Sequence, residues 1–195
     1  MAEPAQRSLT AAEFLERERR AEQRSEFYQG ETFLLAGASR QHNRIATNVS
    51  AELDRQLEGR DCDVYTNDLM VLVERTGLYT YPDVLVTCGE ERFADDHADV
   101  LLNPLVIVEI LSPSTEAYDR GKKFEHYQQI DSLAEYVLIT QDAVRVEHFR
   151  REDGGWLYTE LSDAAGVLEL PSIGCRLALD RVYRRAMPRG PVSLR

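Results

Sequence analysis

Three residues suited to phosphoryl chemistry follow one another along the chain: Asp83, Glu109 and Lys123. Glu109 interrupts a run from Leu105 to Ser112 that is otherwise apolar or Ser, bracketed by Pro104 and Pro113. Such a run reads as a central strand buried on both faces. Ionised carboxylates are almost never buried unless they are paired or bind a metal. Glu109 is therefore either half of a buried ion pair or a ligand. Asp83 follows Pro82 and opens the apolar run Val84-Leu85-Val86. Taken alone it is an ordinary turn residue after Pro. On two adjacent strands, however, Asp83 and Glu109 would offer hard oxygens on rigid elements, which Mg²⁺ or Mn²⁺ prefers. A metal held there can activate water and offset charge on a phosphoryl group.

That chemistry also calls for a cation. The spacing predicts a helix from about 116 to 130, with Ala117, Phe124, Tyr127 and Ile130 as its apolar face. At about 100° per residue, Lys122 points away from that face, whereas Lys123 lies roughly 65° from its centre and can reach the sheet. Asp119 precedes Lys123 by one turn, a spacing that equally fits a solvent-exposed ion pair.

Other elements must position these groups. Thr10-Ala11-Ala12-Glu13 is a capping box opening a mostly solvated helix. Residues 25–36 read as a hairpin turning at Gln29-Gly30, with Glu31 opening its second strand. Ser39 caps a helix from 40 to about 58, whose apolar residues Ile45, Val49, Leu53 and Leu57 recur every four positions. His42 falls in its first turn, where a surface role is the ordinary one. Strands are expected at 62–66, 69–73 and 78–88, the last interrupted by Pro82, and at 135–140, 144–150 and 156–161. A loop and a short helix over 177–185 close the chain, and residues 186–195 read as a flexible tail.

Together the residues carry a resemblance. Gly30-Glu31, His42, Pro82-Asp83, Glu109-x-x-Ser112-Pro113-Ser114-Thr115, Asp119-x-x-x-Lys123 with Tyr127, and Glu135-Tyr136 occur in that order. The set resembles the Uma-two family of restriction-endonuclease-like proteins in the PD-(D/E)XK nuclease superfamily, over about residues 10–183. The resemblance implies an α/β fold of the α+β kind: a central mixed sheet flanked by helices, with an added N-terminal hairpin. It also implies an endonuclease using Mg²⁺ or Mn²⁺ to hydrolyse phosphodiester bonds, with DNA the expected substrate. Asp83, Glu109 and the carbonyl of Ile110 would hold the metal, and Lys123 would be the catalytic lysine. Glu31 and His42 match family positions lining the same site. Two departures stand out. Leu111 occupies the place, two residues after the glutamate, where the superfamily normally carries its lysine. Gln29 replaces an acid frequent before the hairpin glycine, a change expected to affect the turn more than the chemistry.

Composition narrows the classes. The 195 residues suit one domain, and 43% hydrophobic with 29% charged residues is a globular balance. No apolar stretch is long enough to span a membrane, and the N-terminus has no apolar signal core. The net charge of −11 argues against a non-specific nucleic-acid coat, although metal can offset it at a site. That charge and Leu111 favour the alternative reading, an inactive nuclease fold serving as an interaction module. Cys62, Cys88 and Cys175 read as three reduced thiols of a cytoplasmic protein. A homodimer is expected, because cutting two strands needs two sites.

Overall fold

A computed structural model describes residues 8–187. Helix α1 (Ala11–Glu18) begins at the Thr10 capping box, with both reciprocal hydrogen bonds formed. Strands β1 (Ser25–Tyr28) and β2 (Glu31–Leu34) form the expected hairpin. Gln29 and Gly30 both have positive φ, 50° and 88°, as a two-residue hairpin turn requires. The Gln29 side chain donates to Tyr28 Oη at 2.8 Å, so Gln29 serves the turn. Helix α2 (Arg40–Leu57) is capped by Ser39 and buries Ile45, Val49, Leu53 and Leu57.

Strands β3 (Cys62–Thr66), β4 (Met70–Val73), β5 (Leu78–Thr80), β6 (Val84–Cys88), β7 (Val100–Leu101) and β8 (Val106–Leu111) follow. Pro82 splits the 78–88 segment into β5 and β6, which belong to different sheets. After β8 come α3 (Glu116–Tyr118), a π-helical turn (Asp119–Lys123) and α4 (Phe124–Tyr127). The chain closes with β9 (Glu135–Thr140), β10 (Val146–Glu152), β11 (Gly155–Leu161), β12 (Val167–Leu170), β13 (Cys175–Ala178) and α5 (Leu179–Val182). The β12–β13 hairpin replaces the expected loop.

The larger sheet runs β11-β10-β9-β8-β6-β3 and is mixed: β8 pairs β9 in parallel and β6 antiparallel. A second sheet runs β2-β1-β5-β4-β7, so the N-terminal hairpin is the edge of a five-stranded layer. All six residues of β8 are buried. Val106, Val108 and Ile110 pack into the core beneath α2, with β12 and β13. Ile107 and Leu111 face the opposite core, with Tyr127, Tyr136 and residues of the second sheet. Alternation puts Glu109 on that second side.

Three expectations need correction. Ala117 is exposed, because the π turn breaks the α-helical periodicity used to place it inward. Cys62 and Cys88 form a disulfide, whereas Cys175 is a buried free thiol. The antiparallel β3–β6 register sets Cys62 directly opposite Cys88, a closeness their spacing of 26 residues conceals. Ala186 is fully buried and Met187 packs on the same core, so the expected tail does not begin at 186. Residues 188–195 lie outside the described residues.

Candidate active site

The β6–β8 ladder pairs Val84 with Val108, Leu85 with Ile107 and Val86 with Val106. Carried one step beyond, the same register sets Asp83 opposite Glu109 on the face where cross-strand side chains meet. Both carboxylates line a pocket of about 490 Å³, together with His42, Ile110, Asp119 and Lys123. The sequence-based suspicion that Asp83 and Glu109 converge holds, and adjacent strands are the reason.

Asp83 is fixed from two directions. The Ile110 amide donates to its Oδ2 at 2.7 Å, and His42 Nε2 lies 3.0 Å from the same oxygen. Among the described residues no hydrogen bond engages Oδ1. His42 is aimed here because Ser39 Oγ accepts its backbone N–H at 3.1 Å and starts α2 beside the pocket. The other ring nitrogen, Nδ1, is buried without a hydrogen-bond partner.

Glu109 is 3% exposed. Its Oε1 accepts from Tyr127 Oη at 2.8 Å and lies 2.9 Å from Lys123 Nζ. Burial pushes the Glu109 carboxyl up to about 8; Lys123 pulls against that shift, and the charges of Asp83 and Asp119 reinforce it. Burial likewise raises the Asp119 carboxyl from its ordinary value, again opposed by Lys123. For Lys123 burial favours the neutral amine, but Glu109, Glu26 and Asp119 outweigh it and hold the ammonium well above the ordinary lysine range. One ammonium among four carboxylates leaves the cluster with excess negative charge, the condition that raises acid pKa values.

The reach of Lys123 follows from the π turn. In a regular α-helix, consecutive residues project about 100° apart. The widened turn lets Lys123 and Phe124 both point inward, at 5% and 8% exposure. Asp119 is buried with them, 3.8 Å from Lys123 Nζ, so the solvent-exposed pair that the spacing allowed is not formed. Tyr136 Oη donates to the Asp119 carbonyl at 3.0 Å and braces the turn. Such turns are rare and concentrate at functional sites.

Glu31 does not join this group: it is exposed at the start of β2 and does not line the pocket. The hairpin acid at the cluster is Glu26, which sequence reasoning missed. It is 5% exposed, and its Oε1 lies 3.2 Å from Lys123 Nζ. No local signal marked it: alternation ordinarily turns an acid beside an aromatic to solvent, and it is the pairing of β1 with β5 that sets Glu26 facing Lys123.

The donor set has the chemistry of a small hard-cation site. No group of three His, Cys, Asp or Glu among the described residues is arranged to hold a metal ion. Mg²⁺, however, is typically bound by one or two carboxylates, with water and substrate phosphates completing its shell. Asp83 and Glu109 in an open pocket, with uncompensated negative charge, meet that requirement.

Residues 11–180 match the Uma2 (Uma-two) family, described as "Putative restriction endonuclease". The chain belongs to this family. Two Synechocystis sp. proteins are similar along most of its length. The uncharacterized protein sll1609 is 42% identical over 154 residues, covering 78% of this chain and 87% of its own. The uncharacterized protein slr1290 is 36% identical over 177 residues, covering 90% and 92%. Among solved structures, a putative nuclease belonging to DUF820 from Anabaena variabilis superposes with a TM-score of 0.73 at 19% identity. It covers 90% of this chain and 97% of its own. That likeness confirms a mixed α+β, restriction-endonuclease-like fold for this Uma2 protein.

Proposed function

We propose that this Uma2 protein is a Mg²⁺- or Mn²⁺-dependent endonuclease acting on DNA. The observation carrying the reading is the register that brings Asp83 opposite Glu109 in a pocket also lined by Lys123. Asp83 and Glu109 would hold the metal, with the Ile110 carbonyl as a third ligand. When bound, the ion would lower the pKa of a water and offset charge on the scissile phosphate. His42 and the Ile110 amide keep the Asp83 carboxylate in one orientation. Tyr127 does the same for Glu109, and Lys123 supplies a fixed positive charge beside the developing phosphorane. We further place the protein in the cytoplasm, the compartment of bacterial DNA, acting as a homodimer with one site per strand. In a reducing cytoplasm Cys62 and Cys88 would stand as opposed thiols. No helix among the described residues is long and apolar enough to cross a membrane.

Incubation of supercoiled plasmid with the protein and Mg²⁺ or Mn²⁺ tests the reading. Nicking that chelator, Asp83→Ala and Glu109→Gln each abolish supports it; nicking that survives both substitutions refutes it. A second reading, an inactive fold kept as an interaction module, draws on the burial of Lys123, whose ammonium is held by three carboxylates. Calorimetry separates the two: an interaction module gives no divalent-metal heat that depends on Asp83 and Glu109.

A further inference from the structure

Lys123 is held from both layers of the protein. Glu109 reaches it from β8 of the larger sheet, and Glu26 from β1 of the smaller one. Glu26 is itself fixed. The β1–β5 ladder pairs Phe27 with Tyr79, so Glu26 falls opposite Thr80. The fully buried Thr80 hydroxyl donates to Glu26 Oε1, the same oxygen that faces the ammonium. This anchor is absent from the pocket lining; it sits behind Lys123 rather than beside Asp83.

The arrangement matters once a cation enters. Lys123 and Tyr127 both use Glu109 Oε1, which leaves Oε2 as the oxygen for a metal. A divalent ion at Glu109 would withdraw the negative charge facing Lys123 and repel the ammonium within a few ångströms. A lysine secured by Glu109 alone would then leave the site, or keep the metal out. Asp119 is the more distant counter-charge, at 3.8 Å against 3.2 Å for Glu26. We propose that Glu26 is a positioning residue for Lys123: it retains the ammonium in the site when Glu109 turns to a divalent cation. Glu26 thereby makes the metal and the lysine compatible in one pocket. This inference rests on the metal reading of Asp83 and Glu109.

Calorimetric titration of the full chain with MnCl₂ tests it, with a thermal melt confirming that each variant is folded. Glu26→Gln keeps the shape and an acceptor for Thr80, yet leaves the ammonium to Glu109. It is expected to weaken Mn²⁺ binding about 10-fold, and by less than about 2-fold in a Lys123→Met background, the non-additivity of coupled neighbours. Glu26→Asp retains the charge but shortens the reach, and is expected to weaken binding about 5-fold; it carries the comparison should Glu26→Gln fail to fold. A merely structural Glu26 would lower the melting temperature and leave Mn²⁺ affinity unchanged, which overturns the proposal. Equal losses with and without Lys123, or native affinity in Glu26→Asp, would also overturn it by showing a bulk charge effect. A native chain that binds no Mn²⁺ refutes the underlying metal reading instead, a result distinct from all of these.

Discussion

Lys123 Nζ lies 2.9 Å from Glu109 Oε1, joining the one acid of the central strand to the helical segment behind it. Glu109 is therefore a paired buried acid, and a metal would have to share its carboxylate with that pairing. It supplies the counter-charge that lets a carboxylate wait inside the core. Glu26 and Asp119 share the same ammonium, so the unit extends over β8, β1 and the π turn.

Breaking this unit from its cationic side should cost more than neutralising its acid. Lys123→Met leaves buried carboxylates without a counter-charge, and breaking such a pair costs about 3 kcal/mol. Glu109→Gln keeps an acceptor for Tyr127 and relieves the excess negative charge, so it should cost less than about 1 kcal/mol. Urea denaturation of the metal-free proteins measures both. A larger loss in Glu109→Gln would mean that the carboxylate charge, rather than the ammonium, is the element the fold depends on.

The raised Glu109 carboxyl makes metal-free stability depend on pH. Its pKa stands at about 8 in the folded chain against an ordinary 4.5, so the native state binds the extra proton between those values. Stability therefore falls as pH rises through this window: the contribution is complete below about 4.5 and gone above about 8. Asp119, shifted in the same direction, adds to the slope. Lys123, raised rather than lowered, keeps its charge throughout the window. Urea midpoints should decrease from about pH 5 to about pH 8 in the native chain, and this decrease should flatten in Glu109→Gln.

Sequence and structure agree where local chemistry and alternation decide. The Thr10 box, the Gln29-Gly30 turn, the four-residue apolar spacing of α2 and the fully buried β8 were all legible. So was the convergence of Asp83 and Glu109, because Asp83 opens one strand and Glu109 interrupts the apolar run of another. What could not be read was set by register between distant segments. Glu26 became a site residue only when β1 paired with β5 and brought Glu26 and Thr80 to face Lys123. Glu31, a more conspicuous acid beside the turn, stayed in solvent. Cys62 met Cys88 through the β3–β6 ladder, not through any spacing. Lys123 was placed on a helix flank by regular geometry, and the extra residue of the π turn carried it fully inside.

The Cys62–Cys88 bond closes a 26-residue separation, which a loop-entropy estimate values at about 3–4 kcal/mol. Cys62→Ser, or reduction with dithiothreitol, should lower the unfolding free energy by about that much or somewhat less. The paired residues stand at the end of the β3–β6 ladder remote from Thr66 and Val84, next to which Asp83 lies. Metal binding at folded concentrations should therefore be unchanged by reduction. Parallel denaturation and calorimetry under both redox conditions check the two halves. A loss of metal affinity on reduction would show that the edge of the sheet controls the Asp83 end.

The π turn offers a final prediction, because one exposed residue sets its pitch. Lys122 is exposed and makes no ion pair among the described residues, so Lys122→Ala should change stability by no more than about 0.5 kcal/mol. Deleting Lys122 is different: it removes the extra residue and restores an α-helical pitch. Phe124 is stacked on Tyr136 at 5.0 Å and Tyr127 is fully buried, so the C-terminal side of the turn cannot easily rotate. The N-terminal side must turn instead, by about 100° per residue removed, carrying Asp119 out of the cluster and off the Tyr136 hydroxyl. The deletion should cost about 2–4 kcal/mol, the scale of breaking a buried polar network. Urea denaturation of the deletion beside Lys122→Ala measures the difference. Equal stabilities would show that the place of Asp119 in the cluster does not depend on the π geometry.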